Sequence, residues 1–182
     1  MISQSDKTII RKLASEVAEI ASLPIHKEKE KLWRKLNALK PERPMVMIDQ
    51  VCWNEMNIND ELTIKCTDPE CQQYEGHLRR IIYQWHHFSV DMVVEPFIRV
   101  RKAVWSSGFG ITVKDQIAVT DPTNSVVGHL FINQLENDSD IEKIKMPIIT
   151  HDEKETARRF ETAHELFDGI LEIKEEGYDP SY

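Results

Sequence analysis

The stretch from Asp68 to Val100, DPECQQYEGHLRRIIYQWHHFSVDMVVEPFIRV, decides the predicted fold. Its first three residues, Asp68, Pro69 and Glu70, supply the N-cap, the N1 proline and the first-turn acid of a helix start. Apolar side chains then recur at helical spacing as far as Phe88, which predicts one buried stripe. The continuous apolar run VDMVVEPFIRV that follows is typical of a buried strand.

The segments before this stretch complete the pattern. RPMVMID, residues 43–49, is a short apolar run bounded by Pro and Asp, and it predicts a first buried strand. ELTIKC, residues 61–66, fits a further short strand. Strand, helix and strand in this order make a βαβ unit of a parallel sheet. Upstream, amphipathic patterns over about residues 3–22 and 26–39 predict an N-terminal helical hairpin.

A β-rich region follows between about residues 101 and 135. The runs GFGITVKDQIAV and NSVVGHLFINQL, separated by the turn signal TDPT, predict an inserted β-hairpin. SDIEKIK predicts a short helix with Asp138 or Ser139 as its cap, and Thr150 with Glu153 indicates a capping box before a last long helix. ILEIK, near the C-terminus, predicts a third strand.

Composition argues against two classes of function. The 182 residues include 31 acidic and 23 basic side chains, a formal charge of −8, which argues against nucleic-acid binding. No window approaches the roughly 18 consecutive apolar residues of a spanning helix, so we expect no membrane insertion. The first residues lack the pattern of a secretory signal, and three cysteines are an odd count. The sequence therefore predicts a cytoplasmic protein with reduced thiols.

Three long segments carry a resemblance to a known family: RPMVMIDQVCWNEMN, HLRRIIYQWHHFSVDMVVEPFI and MPIITHDEKETARRFETAHELFDGILEIK. Together they resemble the N-terminal part of the uroporphyrinogen decarboxylase-like superfamily, in particular its bacterial branch related to corrinoid-dependent methyltransferases. The resemblance implies an α/β protein with an N-terminal helical extension, residues 1–40, followed by the first strands and helices of a (β/α)₈ (TIM) barrel. Residues 41–182 would form this partial barrel, with the β-hairpin inserted at about 101–135.

A complete barrel takes about 250 residues, so the barrel in this chain would be incomplete. An open parallel sheet leaves unpaired backbone groups at its edge. We therefore expect either a missing barrel half or a second copy of the chain as partner.

The resemblance also implies a function. The complete protein would be a methyltransferase that moves a methyl group between a small substrate and a corrinoid or thiol, with this chain inactive alone. A corrinoid or zinc would be a cofactor of the complete protein, and a corrinoid protein a partner. The family's zinc ligands come mainly from later strands, so no metal ligand is assigned here. The Arg-containing motif that contacts substrate carboxylates in uroporphyrinogen decarboxylases is not reproduced around strand one, which argues against a porphyrinogen substrate. The alternative is a non-catalytic binding or assembly module that dimerises.

The candidate site residues follow from the barrel, because functional side chains lie where barrel strands end. Strand one nominates Asp49, Trp53 and Glu55 as ligand-binding residues, and strand two nominates Arg99 for the same role. Glu95, which closes an apolar run, is the candidate catalytic residue, because partial desolvation suits a carboxylate to proton transfer or to holding a cationic substrate.

Each of these residues also has a structural alternative. Glu95 would instead form an ion pair with Arg99 or Arg101 at the end of the strand. Asp49 would cap the next turn. For Trp53 the functional role would be an aromatic wall against a quaternary ammonium or a corrinoid face. The structural alternative is simple packing.

Other polar residues support no assignment to a site. Arg79 and Arg80 lie on a predicted helix flanked by acidic segments, so we expect solvated ion-pair partners. Cys66, Cys71 and His77 form a poor zinc pattern, because no second closely spaced Cys or His pair completes it.

Overall fold

The computed structural model describes residues 2–88, 90–120 and 127–177. Within these ranges the chain is mixed α/β: four α-helices precede the first strand, the short strands form three two-stranded sheets, and these strands form no closed barrel. In chain order the elements are α1 (Gln4–Ala21), α2 (Ile25–Asn37), α3 (Trp53–Met56), α4 (Pro69–His87), β1 (Phe97–Arg101), β2 (Val104–Ser106), β3 (Asp115–Ala118), β4 (Gly128–Phe131), a 3₁₀ helix (Asp138–Lys143), β5 (Ile149–His151), α5 (Glu153–Phe167) and β6 (Glu172–Glu176).

The chain divides into two compact units. One comprises Met1–Val100 with Arg159–Glu176, and the other contains Arg101–Arg158. The predicted N-terminal extension, residues 1–40, lies within the first unit. None of the described helices combines the length and the apolar character that are needed to span a bilayer.

The core of the first unit forms where α1 packs against α4. Ile10, Ala14 and Val17 recur at helical spacing along α1 and are almost completely buried. Leu78 of α4 and Phe167 of α5 are fully buried in the same cluster. The predicted amphipathic pattern of the first helix is therefore confirmed.

Helix α4 begins as its sequence predicts. The carboxylate of Asp68 accepts hydrogen bonds from the backbone N–H groups of Glu70 (2.9 Å) and Cys71 (3.0 Å), and Pro69 occupies the first turn. These contacts satisfy N–H groups that have no partner inside the helix.

Two predicted strands in the first unit are absent because their backbone groups bond elsewhere. In ELTIKC, the N–H groups of Lys65 and Cys66 donate to the buried carboxylate of Glu75 rather than to a neighbouring strand. In RPMVMID, Val46 exchanges hydrogen bonds with Asp91 alone, and Met47 is 64% exposed. Both predictions are wrong, and residues 43–49 are irregular rather than a buried strand.

The strand predicted from residue 90 begins later than expected, at Phe97. The N–H of Val94 donates to Nδ1 of His26 (3.2 Å), and Pro96 has no N–H to offer. Strand β1 therefore begins at Phe97 and pairs with β6 in one sheet, and Pro96 contributes only its carbonyl, which accepts from the N–H of Glu172 (3.1 Å). Because β6 covers most of ILEIK, the third predicted strand is confirmed.

The second unit contains the predicted hairpin. Strand β3 pairs antiparallel with β4, with Asp115 opposite Phe131 and Ala118 opposite Gly128. Most of the turn signal TDPT lies outside the described residues. Strand β5, which follows the 3₁₀ helix, pairs antiparallel with β2.

Two helix caps differ from the prediction. The N-cap of the 3₁₀ helix is Asn137, rather than Asp138 or Ser139. The helix α5 begins at Glu153, and the side chain of Asp152 accepts from the N–H of Glu155 (2.9 Å). Thr150 lies in β5, so a capping box between Thr150 and Glu153 does not form.

Candidate functional site

A groove of about 560 Å³ lies in the first unit. Its walls come from residues 47–49 with Trp53, from helix α4, and from residues 90–93. This volume falls within the range of small-molecule sites. Two of the predicted ligand-binding residues, Asp49 and Trp53, lie in its lining.

The wall that carries Asp49 is fixed to the rest of the unit by Asp91. The Asp91 carboxylate accepts two hydrogen bonds from the guanidinium of Arg43 (2.8 and 2.5 Å) and one from the N–H of Val46 (3.0 Å). These hydrogen bonds hold the pKa of Asp91 far below its usual range. The backbone carbonyl of Asp91 accepts a further hydrogen bond from the indole N–H of Trp33 (2.7 Å). An irregular segment is thereby held in place without a strand ladder.

Aromatic and cationic groups line the part of the groove formed by Trp53 and helix α4. The ring of Trp53 meets the ring of Tyr83 edge-on at 6.1 Å, and the guanidinium of Arg80 lies 5.3 Å from the Trp53 ring centroid. Desolvation by the surrounding protein, followed by the positive charges of Arg80 and Arg99, lowers the pKa of His77, although the residue as a whole is exposed. The lowered pKa favours the neutral form of His77, and Arg80 carries a positive charge in this part of the groove.

The other nominated residues do not line this groove. Glu95 forms an ion pair with Arg99 (2.9 Å), and Arg99 also approaches Glu176 (3.8 Å). The ion pair that was the structural alternative for Glu95 is thus present. Glu55 is exposed on the short helix α3. The structure therefore brings Asp49 and Trp53 together and leaves Glu55, Glu95 and Arg99 outside the groove lining.

Two of the three cysteines are buried and one is exposed. Cys66 and Cys71 are buried; burial and nearby carboxylates raise the pKa of each thiol to about 12. Cys52 is exposed. Among the residues that the structure describes, no group of three His, Cys, Asp or Glu side chains is placed to hold a metal ion.

Sequence reasoning missed part of the groove. Arg79 and Arg80 have different environments: Arg79 pairs with the buried Glu75 (2.8 Å), whereas Arg80 lies in the groove. His77, Arg80 and Gln84 recur at helical spacing on the face of α4 beside the buried stripe. This second stripe could have indicated the groove from the sequence, because ligand sites are lined by apolar residues together with a few polar ones.

The second unit exposes an apolar hairpin. Ile117, Leu130 and Phe131 are 58%, 65% and 67% exposed. Because directly paired residues lie on the same face, Ile117 and Phe131 share one face with His129, whereas Leu130 lies on the other. Both faces of the hairpin therefore carry uncovered apolar side chains, a feature typical of an interaction surface.

Comparison with known proteins gives no relative: no family model, no curated protein and no solved structure matches the chain. The resemblance to uroporphyrinogen decarboxylase-like proteins stays a prediction. The groove and the exposed hairpin are therefore the two features of the molecule that bear on its function.

Proposed function

We propose that this chain supplies the substrate groove of a uroporphyrinogen decarboxylase-like methyltransferase, whose complete form moves a methyl group between a small substrate and a corrinoid or thiol. One observation carries the proposal. All but one of the groove-lining residues belong to two of the segments that resemble this family, 43–57 and 77–98. The exception is Trp33.

The partial barrel belongs to the same proposal. Strands β1 and β6, which overlap the second and third predicted barrel strands, are neighbours in one sheet. Consecutive strands of a (β/α)₈ barrel are neighbours, so this pairing supports the arrangement. The groove has room for a small substrate, and we assign none of the described residues to a corrinoid or to zinc. Activation of the methyl acceptor would come from the missing barrel half, and this chain would be inactive alone.

A reconstitution experiment tests the proposal. The chain is purified alone and together with the polypeptide encoded immediately downstream, and methyl transfer from methylcobalamin to a thiol is followed by the visible spectrum of the corrinoid. We expect transfer only with both polypeptides. Trp53→Ala should lower the rate, whereas Trp105→Ala, at a 60% exposed tryptophan of the second unit, should not. A stable complex without transfer, or equal effects of the two substitutions, would contradict the proposal.

A second candidate function is the assembly module that dimerises, which the exposed hairpin favours. Size-exclusion chromatography with light scattering separates the two candidates. A monodisperse dimer of the chain alone supports the assembly module. An aggregate that resolves only when the downstream polypeptide is added supports the split methyltransferase.

A further inference from the structure

Two opposite charges line the groove without pairing. Asp49 and Arg80 both contribute to its lining, and no ion pair joins them to each other or to any other described residue. The remaining carboxylate of the lining, Asp91, is already neutralised by Arg43. The groove therefore offers a ligand one negative and one positive group that no ion pair with a described residue neutralises.

We infer that the groove binds a small zwitterion, a molecule with one carboxylate and one positively charged, N-methylated amine. Arg80 is the contact for the carboxylate, because a guanidinium donates two parallel N–H groups to such an anion. Asp49 is the contact for the amine. This inference rests on the proposed function, since it names the substrate class of the same groove.

The aromatic groups of the groove favour a methylated amine over a bare ammonium. Trp33 and Trp53 both line the groove, and quaternary ammonium groups bind well to indole faces. Each ring is held in place: the N–H of Trp33 donates to the Asp91 carbonyl, and Trp53 packs edge-on against Tyr83. Two positioned indoles cost little conformational entropy when a ligand binds.

Arg80 itself is held at the groove by its contact with Trp53. Its neighbour Arg79 differs, because each nitrogen of the Arg79 guanidinium contacts either the carboxylate of Glu75 or the carbonyl of Glu61 (2.9 Å). The two adjacent arginines therefore have separate roles, one in the core and one at the ligand.

Four probes of nearly identical shape test the inference on the isolated chain by tryptophan fluorescence and calorimetry. They are glycine betaine, a zwitterion; 3,3-dimethylbutyrate, its anionic isostere; choline, a cation; and 3,3-dimethylbutanol, which is neutral. We expect glycine betaine to bind most tightly and the neutral alcohol most weakly. Each charge at this exposed site should contribute a factor of about three to five in affinity.

Substitutions assign each charge to a residue. Arg80→Gln should weaken glycine betaine and 3,3-dimethylbutyrate by that factor and leave choline unchanged. Asp49→Asn should weaken glycine betaine and choline and leave 3,3-dimethylbutyrate unchanged. Arg34→Gln and Glu30→Gln, in an exposed ion pair on α2, are the charge-matched controls and should change no affinity.

The outcomes separate this inference from the proposed function. Three results would each overturn the inference that the groove binds a zwitterion. They are equal binding of all four probes, a response to only one of the two groove substitutions, and no binding of any probe. The methyl-transfer assay with the downstream polypeptide then decides the proposed function by itself, because it reports turnover rather than the charge of the ligand.

Discussion

Replacing Glu75 by glutamine should strongly destabilise the first unit. Glu75 is completely buried, and its carboxylate accepts from the N–H groups of Lys65 (2.8 Å) and Cys66 (2.7 Å) and from Nε of Arg79 (2.8 Å). Burial by itself disfavours the charged form, but the hydrogen bonds from Cys66, Lys65 and Arg79 outweigh it and lower the pKa of Glu75. The ionised carboxylate is thus an acceptor on both of its oxygens.

The expected loss of stability follows from the hydrogen bonds that the glutamine amide cannot accept. Glutamine has one acceptor oxygen, so its NH₂ must face either the two backbone N–H groups or the guanidinium of Arg79. Breaking a buried ion pair costs about 3–5 kcal/mol. Arg79 keeps its hydrogen bond to the Glu61 carbonyl and is 13% exposed, so we expect the lower end, about 3 kcal/mol.

Urea unfolding followed by circular dichroism measures this loss. With a denaturant slope of about 2 kcal/mol per molar urea, the midpoint should fall by about 1.5 M. Glu30→Gln is the matched control, because Glu30 and Arg34 form an ion pair of the same spacing on the surface of α2, where we expect less than about 0.5 kcal/mol. If both substitutions shift the midpoint equally, Glu75 is not the buried acceptor that the structure describes, and the reasoning fails.

Three further predictions follow from pKa shifts and exposure. Because the folded-state pKa of Glu75 is lowered, its contribution to the free energy of unfolding is present at neutral pH and is lost as the pH falls below the ordinary value of 4.5. The difference in urea midpoint between the wild type and Glu75→Gln should therefore disappear in acid. Ellman's reagent should label Cys52 quickly in the native protein and Cys66 and Cys71 only in denaturant; rapid labelling of all three would contradict the burial of the latter two thiols. If the chain dimerises through the hairpin, Phe131→Lys should yield monomers by light scattering, and a persistent dimer would place the interface elsewhere.

Helices were predictable in this chain because their signals are local. The apolar spacing along α1 and the Asp68-Pro69 start of α4 depend only on nearby residues, and both helices form as expected. The hairpin of β3 and β4 was predictable for the same reason, since two β-rich runs flank a short turn signal. The groove was predictable in part: Asp49 and Trp53 were nominated from a strand that does not form, yet both lie in the groove lining.

The strands failed where buried carboxylates take the place of a sheet ladder. Asp6 accepts from the N–H groups of Thr67 and Asp68. Glu75 accepts from the N–H groups of Lys65 and Cys66. Asp91 accepts from the N–H of Val46. In the sequence these acids look like ordinary members of a chain with a charge of −8, and no local pattern separates them from solvated side chains. A buried carboxylate that accepts from several backbone N–H groups gives an irregular segment the acceptors that a neighbouring strand would otherwise supply. Apolar runs beside such acids therefore remain irregular, and two irregular segments joined through Asp91, residues 47–49 and 90–93, form walls of the groove.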